Sequence, residues 1–309
     1  MPDRHRSLLV FAVLVIVVVS ATVFFVVPIN TAEPTPTVDL PPDFGAFFDG
    51  ARALGDVAHQ VSLGPRPTGS EAHAQMIDWM VTTLTEIEGW EVEVQRAEYM
   101  GVEVANVVAK RGSGEPWIIL GAHYDTRLFA DSDPDSANHM EPVLGANDGG
   151  SGVAVLMELA RVLPRDLDKE IWLVFFDAED NGRIEGWEWI MGSSAFVEGL
   201  EAHPDMAVIV DMIGDADLNV YYELNSDTEL REEIWAVAGE LGYEDRIIPE
   251  GKHSILDDHL PFIWAGIPAV DMIDFDYPYW HTVEDTLDKV SAESLQVIGD
   301  TLMAWLETK

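Results

Sequence analysis

The sequence predicts an α/β protein: a three-layer α/β/α sandwich with a mixed, mainly parallel central sheet, preceded by one N-terminal transmembrane helix. Three observations carry that prediction. Short uninterrupted apolar runs, "WIILGAHYD" and "EIWLVFFDAED", are of the kind found in strands covered on both faces. A segment of helical periodicity stands between them, as alternation of strand and helix requires. A charge-free stretch long enough to cross the hydrocarbon core of a bilayer, Leu8 to Val27, lies near the start.

In chain order, Arg4, His5 and Arg6 precede "LLVFAVLVIVVVSATVFFVV", which places the basic end inside and the remainder outside a cell membrane. The expectation for residues 1–27 is a single-pass signal anchor with an extracytoplasmic domain behind it. Secretion after signal cleavage is the alternative, because Ser20 and Ala21 are small, although the apolar run continues past them. Residues 28–43, "PINTAEPTPTVDLPPD", form a proline-rich linker that cannot pack as helix or strand. The folded domain therefore spans 44–309. Within it "WEVEVQ" and "VEVANVVAK" alternate like half-buried strands, and "GVAVLMELARVL", Gly152 to Leu163, has helical spacing. "AVIVDMIGD" and "GIPAVDMIDFD" repeat the design of an apolar strand ending in acid. "SAESLQVIGDTLMAWLE" closes the chain as a helix capped by Ser291, with Glu293 behind it.

Composition excludes several functions. The 17 basic against 56 acidic residues give a formal charge of -39, which opposes binding to nucleic acid or to anionic membrane surfaces. Membrane contact is expected through the N-terminal helix only, and the charge serves solubility, in keeping with a salty setting. With no cysteine there is no disulfide framework, no thiolate nucleophile and no cysteine zinc site. Any metal must sit on His, Asp and Glu.

In open α/β sheets the site lies at the carboxyl ends of the strands. There stand His123 and Asp125 after "WIILGA", Asp148 in "GANDGGSG", Glu179 and Asp180 after "IWLVFF", Asp211 after "AVIV", and His281 in "YPYWHTVEDT". Singly, Asp148 is explained as a helix cap, His123 as a satisfied core histidine and Asp211 as a strand terminus. Five successive strand ends of this kind are better explained by a metal. Imidazole and carboxylate without thiolate suit zinc in a catalytic role, one ion or two.

The series "GAHYDT", "GANDGGSG", "FFDAED", "VDMIGD", "DDHLPF" with "GIP", and "YWHTVEDT" resembles the zinc-dependent aminopeptidase superfamily, which also contains the animal-type glutaminyl cyclases. The likeness extends from "LGPRPTGSEAH" at Leu63 to the last helix. It implies that Asp148 binds or bridges zinc, that Asp180 and His281 bind the same or a paired zinc, and that His123 and Asp211 complete a second position. It further implies that Asp125 orients His123 and that Glu179 is the general base and acid. One departure is Asp180, which stands where glutamate is frequent. Three features resemble the cyclases in particular: the tryptophan-bearing loop "NGRIEGWEWIM" with Trp187 and Trp189, Asp257 as a proton-relay aspartate, and Trp280 directly before His281. The implied activity is that of a glutaminyl-peptide cyclotransferase, with peptide or protein N-termini as substrate and Trp187, Trp189 and Trp280 as the substrate wall. A zinc aminopeptidase is the alternative, and a catalytically silent binding ectodomain a remote one.

Overall fold

Residues 47–309 are described by the structure, a computed structural model. The expected membrane helix, the linker and the start of the domain at Phe44 lie outside the described residues. Among the described residues, no helix is long and apolar enough to cross a membrane.

Two helices open this part of the chain, α1 (Gly50–Leu63) and α2 (Glu71–Glu86), each started by a side chain that accepts a first-turn N–H: Asp49 from Arg52 and Ser70 from His73. Strands β1 (Glu91–Tyr99), β2 (Val102–Arg111) and β3 (Trp117–His123) follow, then α3 (Gly150–Val162), β4 (Glu170–Phe176), α4 (Met191–Glu198) and β5 (Met206–Asp211). A small parallel pair, β6 (Val220–Glu223) and β7 (Ile247–His253), flanks α5 (Thr228–Glu240). The chain ends with α6 (Leu260–Trp264), β8 (Ala269–Ile273) and α7 (Ala292–Glu307), the last capped by Ser291, whose side chain accepts from the Ser294 N–H.

The main sheet has the order β1-β2-β4-β3-β5-β8. The β1–β2 and β2–β4 pairs are antiparallel, whereas β4–β3, β3–β5 and β5–β8 are parallel. Strand alternation divides the core between the two faces. Ile118, Leu120, Leu173, Phe175, Val208 and Val210 pack beneath α1, α3, α5 and α7, while Ile119, Val174, Phe176, Ala207 and Ile209 meet Phe196 of α4 and Phe262 of α6. A fully covered parallel strand has no polar face, which explains the unbroken apolar runs. The four parallel strands end along one edge, and His123 at the end of β3 and Asp211 at the end of β5 stand there side by side.

Candidate metal centre

Two histidine–carboxylate groups meet at that edge and share one aspartate. His123 Nε2 lies 3.1 Å from Asp148 Oδ1 and 3.1 Å from Asp211 Oδ1. His281 Nε2 lies 2.7 Å from Asp180 Oδ1 and 3.7 Å from Asp148 Oδ2. Asp148 thus turns one oxygen to each histidine. In each group, His123–Asp148–Asp211 and Asp148–Asp180–His281, the three candidate ligand atoms lie within 4.8 Å of one another, and all five residues are buried. Asp148 does not cap α3: the N-cap position is Gly149, which makes no side-chain cap bond.

Buried polar atoms are normally hydrogen-bonded. Asp148 Oδ2, Asp180 Oδ2 and His123 Nδ1 are buried without such a partner. Orphaned carboxylate oxygens in an imidazole–carboxylate cluster fit a divalent cation that accepts N and O donors, zinc among them. The electrostatics agree. Burial, and after it the neighbouring Asp148, pushes the Asp180 carboxyl up to about 6. Burial pushes Asp211 up to about 7 and Glu179 well above the ordinary carboxylate range. Burial alone would depress both histidines, yet Asp180 and Asp131 hold His281 up at about 9, and Asp211, Asp125 and Asp148 hold His123 well above its ordinary value.

The surrounding residues fix the ligands. The Asp125 carboxylate accepts the backbone N–H of Glu179 at 3.0 Å and of Asp180 at 3.3 Å, and lies 3.6 Å from His123 Nδ1. Asp285 accepts from the N–H groups of Asn147 and Asp148 and from the Tyr277 hydroxyl. Gly149 is obligatory, because a Cβ there would lie 2.3 Å from the His123 carbonyl oxygen and 2.7 Å from its ring. The "GPRPTG" segment reaches in from the other side: fully buried Arg66 donates to the carbonyls of Tyr124, Leu144 and Gly145, bracing the loop that carries Asp148. Ala178 (φ 54), Met212 (φ 48) and His281 (φ 55) have left-handed backbones, as does Arg183 (φ 63) on the cavity wall, a conformation that costs about 1–3 kcal/mol and concentrates at functional sites.

The ligands open into a cavity of about 220 Å³ whose walls include Glu179, Asp257, Trp189, Trp280 and Phe275. Trp280 stacks on His281 at 3.8 Å between ring centroids, and Trp189 lies parallel to the same imidazole at 6.0 Å. Trp187, grouped with Trp189 in the sequence, is not among the residues lining this cavity. Its side chain packs with Val104, Ala178 and Met191 and lines an adjoining surface recess together with Trp189. Gly182 lets Trp189 in, since a Cβ at 182 would lie 2.2 Å from the indole.

Two supporting groups escaped the sequence reading. Arg127 is buried and donates to the Asp180 and Gly182 carbonyls and to Asp131, whose Oδ1 lies 3.5 Å from His281 Nδ1; its guanidinium also lies 4.8 Å from the Trp189 ring centre. Behind the cavity, His259 stands 3.1 Å from Glu223 and 3.7 Å from Asp271, all three fully or almost fully buried. Burial would raise the Glu223 carboxyl, but His259 and the N–H groups of Ile255 and Asn225 win and hold it down at about 2. A depressed carboxyl contributes stability that is present above its unfolded pKa and lost as pH falls through about 2. Glu223→Gln is therefore expected to lower the melting temperature at neutral pH, by a margin that shrinks as acid protonates the wild-type carboxyl; a pH series of thermal melts checks this.

The fold and the site together define an α/β protein with two histidine–carboxylate groups that could hold a metal. Residues 106–306 match the model of Peptidase family M28, and the chain belongs to that family. It is 30% identical over 203 residues to the aminopeptidase YwaD of Bacillus subtilis strain 168, a match covering 60% of this chain and 40% of that longer protein. It is 25% identical over 280 residues to the glutaminyl-peptide cyclotransferase of Drosophila melanogaster, covering 76% and 75%. Among solved structures, Porphyromonas gingivalis glutaminyl cyclase superposes with a TM-score of 0.79 at 31% identity over 85% of this chain and 99% of that one. A leucine aminopeptidase precursor from Bacteroides thetaiotaomicron superposes equally well, TM-score 0.79 at 29% identity over 85% and 98%.

Proposed function

We propose that this chain is a zinc-dependent glutaminyl-peptide cyclotransferase, closing an N-terminal glutamine to pyroglutamate with release of ammonia. The observation that carries the reading is the aromatic wall: Trp189 and Trp280 both lie parallel to the ligand His281 and line the cavity that holds Glu179 and Asp257. A narrow, walled pocket excludes bulk water and favours attack by the substrate's own amine. Zinc bound by Asp148, Asp180 and His281, with His123 and Asp211 as a second position, would polarise the γ-amide carbonyl as a Lewis acid. In the reaction the α-nitrogen bonds to the carbon of the side-chain amide, and the bond from that carbon to the amide nitrogen breaks. Glu179 takes the proton that the α-amine loses and returns it to the departing nitrogen. Asp257, whose charge acts on Glu179, helps to retain that proton.

A second reading, a zinc aminopeptidase, is favoured by the two ligand groups that share Asp148, an arrangement able to hold two ions, and by the similarity to YwaD. The zinc-loaded protein incubated with N-terminal glutamine and leucine peptides separates the two. Products lighter by one ammonia support the cyclase; release of free amino acid supports the peptidase.

Trp280→Ala is expected to raise KM about tenfold with kcat within a few-fold of wild type, because stacking is lost while the metal ligands stay. Steady-state kinetics on a glutamine peptide read that split. Residues 8–27 are proposed to anchor the enzyme with its catalytic domain outside the cell. Full-length protein should then sediment with membranes and resist high-salt extraction; recovery in the soluble fraction counts against the anchor.

A further inference from the structure

Arg183 is unusual in a chain of 17 basic and 56 acidic residues. Cations in such a protein find carboxylates or carbonyls: Arg161 pairs with Asp56, Lys252 with Asp276, and Arg111 donates to the Leu163 carbonyl. Among the described residues, Arg183 is the one arginine or lysine whose side chain makes neither a hydrogen bond nor an ion pair. It is exposed, and it is the one cation lining the cavity, beside the carboxylates of Asp148, Glu179, Asp180, Asp211 and Asp257. It pairs with none of them.

The side chain is free, but its root is held. Buried Arg127 donates to the Gly182 carbonyl at 2.9 Å, the Leu128 N–H donates to the Asn181 side chain at 3.1 Å, and Arg183 itself has φ 63, within a turn closed by the Ile184 N–H on the Asn181 carbonyl. An arginine fixed at its base gives up less freedom when a ligand arrives. Its guanidinium matches a carboxylate through two parallel N–H bonds. The protein's overall charge of -39 repels acidic peptides at a distance, so an unpaired cation at the mouth of the cavity restores attraction where the substrate docks.

We propose that Arg183 determines specificity by binding a carboxylate of the substrate beyond its N-terminal residue, which favours peptides with a free C-terminus close by or an acidic second residue. This rests on the reading that peptide N-termini enter the cavity. Binding is measured by calorimetry on zinc-loaded, full-length Glu179→Gln protein, so that turnover does not interfere, with three probes: Gln-Gly as the free acid, Gln-Gly amide and Gln-Glu amide. With Arg183 present, at least one acid probe is expected to bind about fivefold more tightly than Gln-Gly amide at low salt, an advantage that fades by about 1 M salt. The preferred acid identifies the source of the carboxylate. Arg183→Gln should abolish the preference and leave Gln-Gly amide binding unchanged, and Arg183→Lys should keep part of it. A preference that survives in Arg183→Gln, equal weakening of all three probes, or no preference at the outset overturns the proposal while leaving the peptide reading standing. If none of the three binds, the peptide reading fails and the role of Arg183 with it.

Discussion

Glu179→Gln is expected to lower turnover by roughly two to four powers of ten while the zinc content of the protein stays unchanged. The substitution keeps the shape of the side chain and removes its capacity to take up and release a proton. Its position does not depend on its own charge, because the Glu179 N–H is held by Asp125 Oδ1 at 3.0 Å, a contact the variant retains. The carboxyl is almost buried, and burial, then Asp180, Asp257 and Asp258, raise it against the pull of His123. A carboxyl raised above its solution value holds a proton more readily, as a group that takes up and returns one must. Kinetics on a glutamine peptide, with elemental analysis of the same sample, check the expectation. If metal and activity are lost together, Glu179 is a ligand and the roles within the Glu179–Asp180 pair are reversed.

Much of this arrangement was legible in the sequence, for a physical reason. A strand buried on both faces must be apolar to its last residue, so the acids and histidines that follow "WIILGA", "IWLVFF" and "AVIV" mark the strand ends directly, and parallel neighbours bring those ends together. His123, Asp148, Asp180, Asp211 and His281 accordingly stand in two adjacent groups. The helices α1, α2 and α5 and the β6–β7 pair were not read from the sequence, although α1, α2 and α5 open on side-chain caps of the readable kind, Asp49, Ser70 and Asp227. Trp187 was grouped with Trp189 because sequence gives proximity but not side-chain directions; both line the recess outside the loop, and only Trp189 also lines the ligand cavity. The bracing contacts were invisible for another reason. Arg66 and Arg127 work by donating to carbonyls far along the chain, at Leu144, Gly145, Asp180 and Gly182, and a carbonyl leaves no mark in a sequence.

Asp148→Asn is expected to be the most damaging single ligand change, because Asp148 is the one residue common to both ligand groups. Its Oδ1 faces His123 and its Oδ2 lies nearer His281, so an amide supplies an acceptor to one group and turns an N–H donor on the other. The charge is lost from both. Support residues around a metal typically cost 10–100-fold in metal affinity when removed, so a shared ligand should cost at least about 100-fold and bring activity to background. Asp211→Asn touches only the His123 group and Asp180→Asn only the His281 group, so each should spare the other. Equilibrium dialysis followed by elemental analysis gives the metal-to-protein ratio of the three variants, and circular dichroism confirms that each is folded. If the wild type binds two ions, the ratio should fall by about one in each outer variant and to near zero in Asp148→Asn. If it binds one, Asp148→Asn and whichever outer variant holds the ion should lose it together. A folded Asp148→Asn protein that keeps its full metal content would remove Asp148 from the centre, and with it the reason for placing both groups in one site.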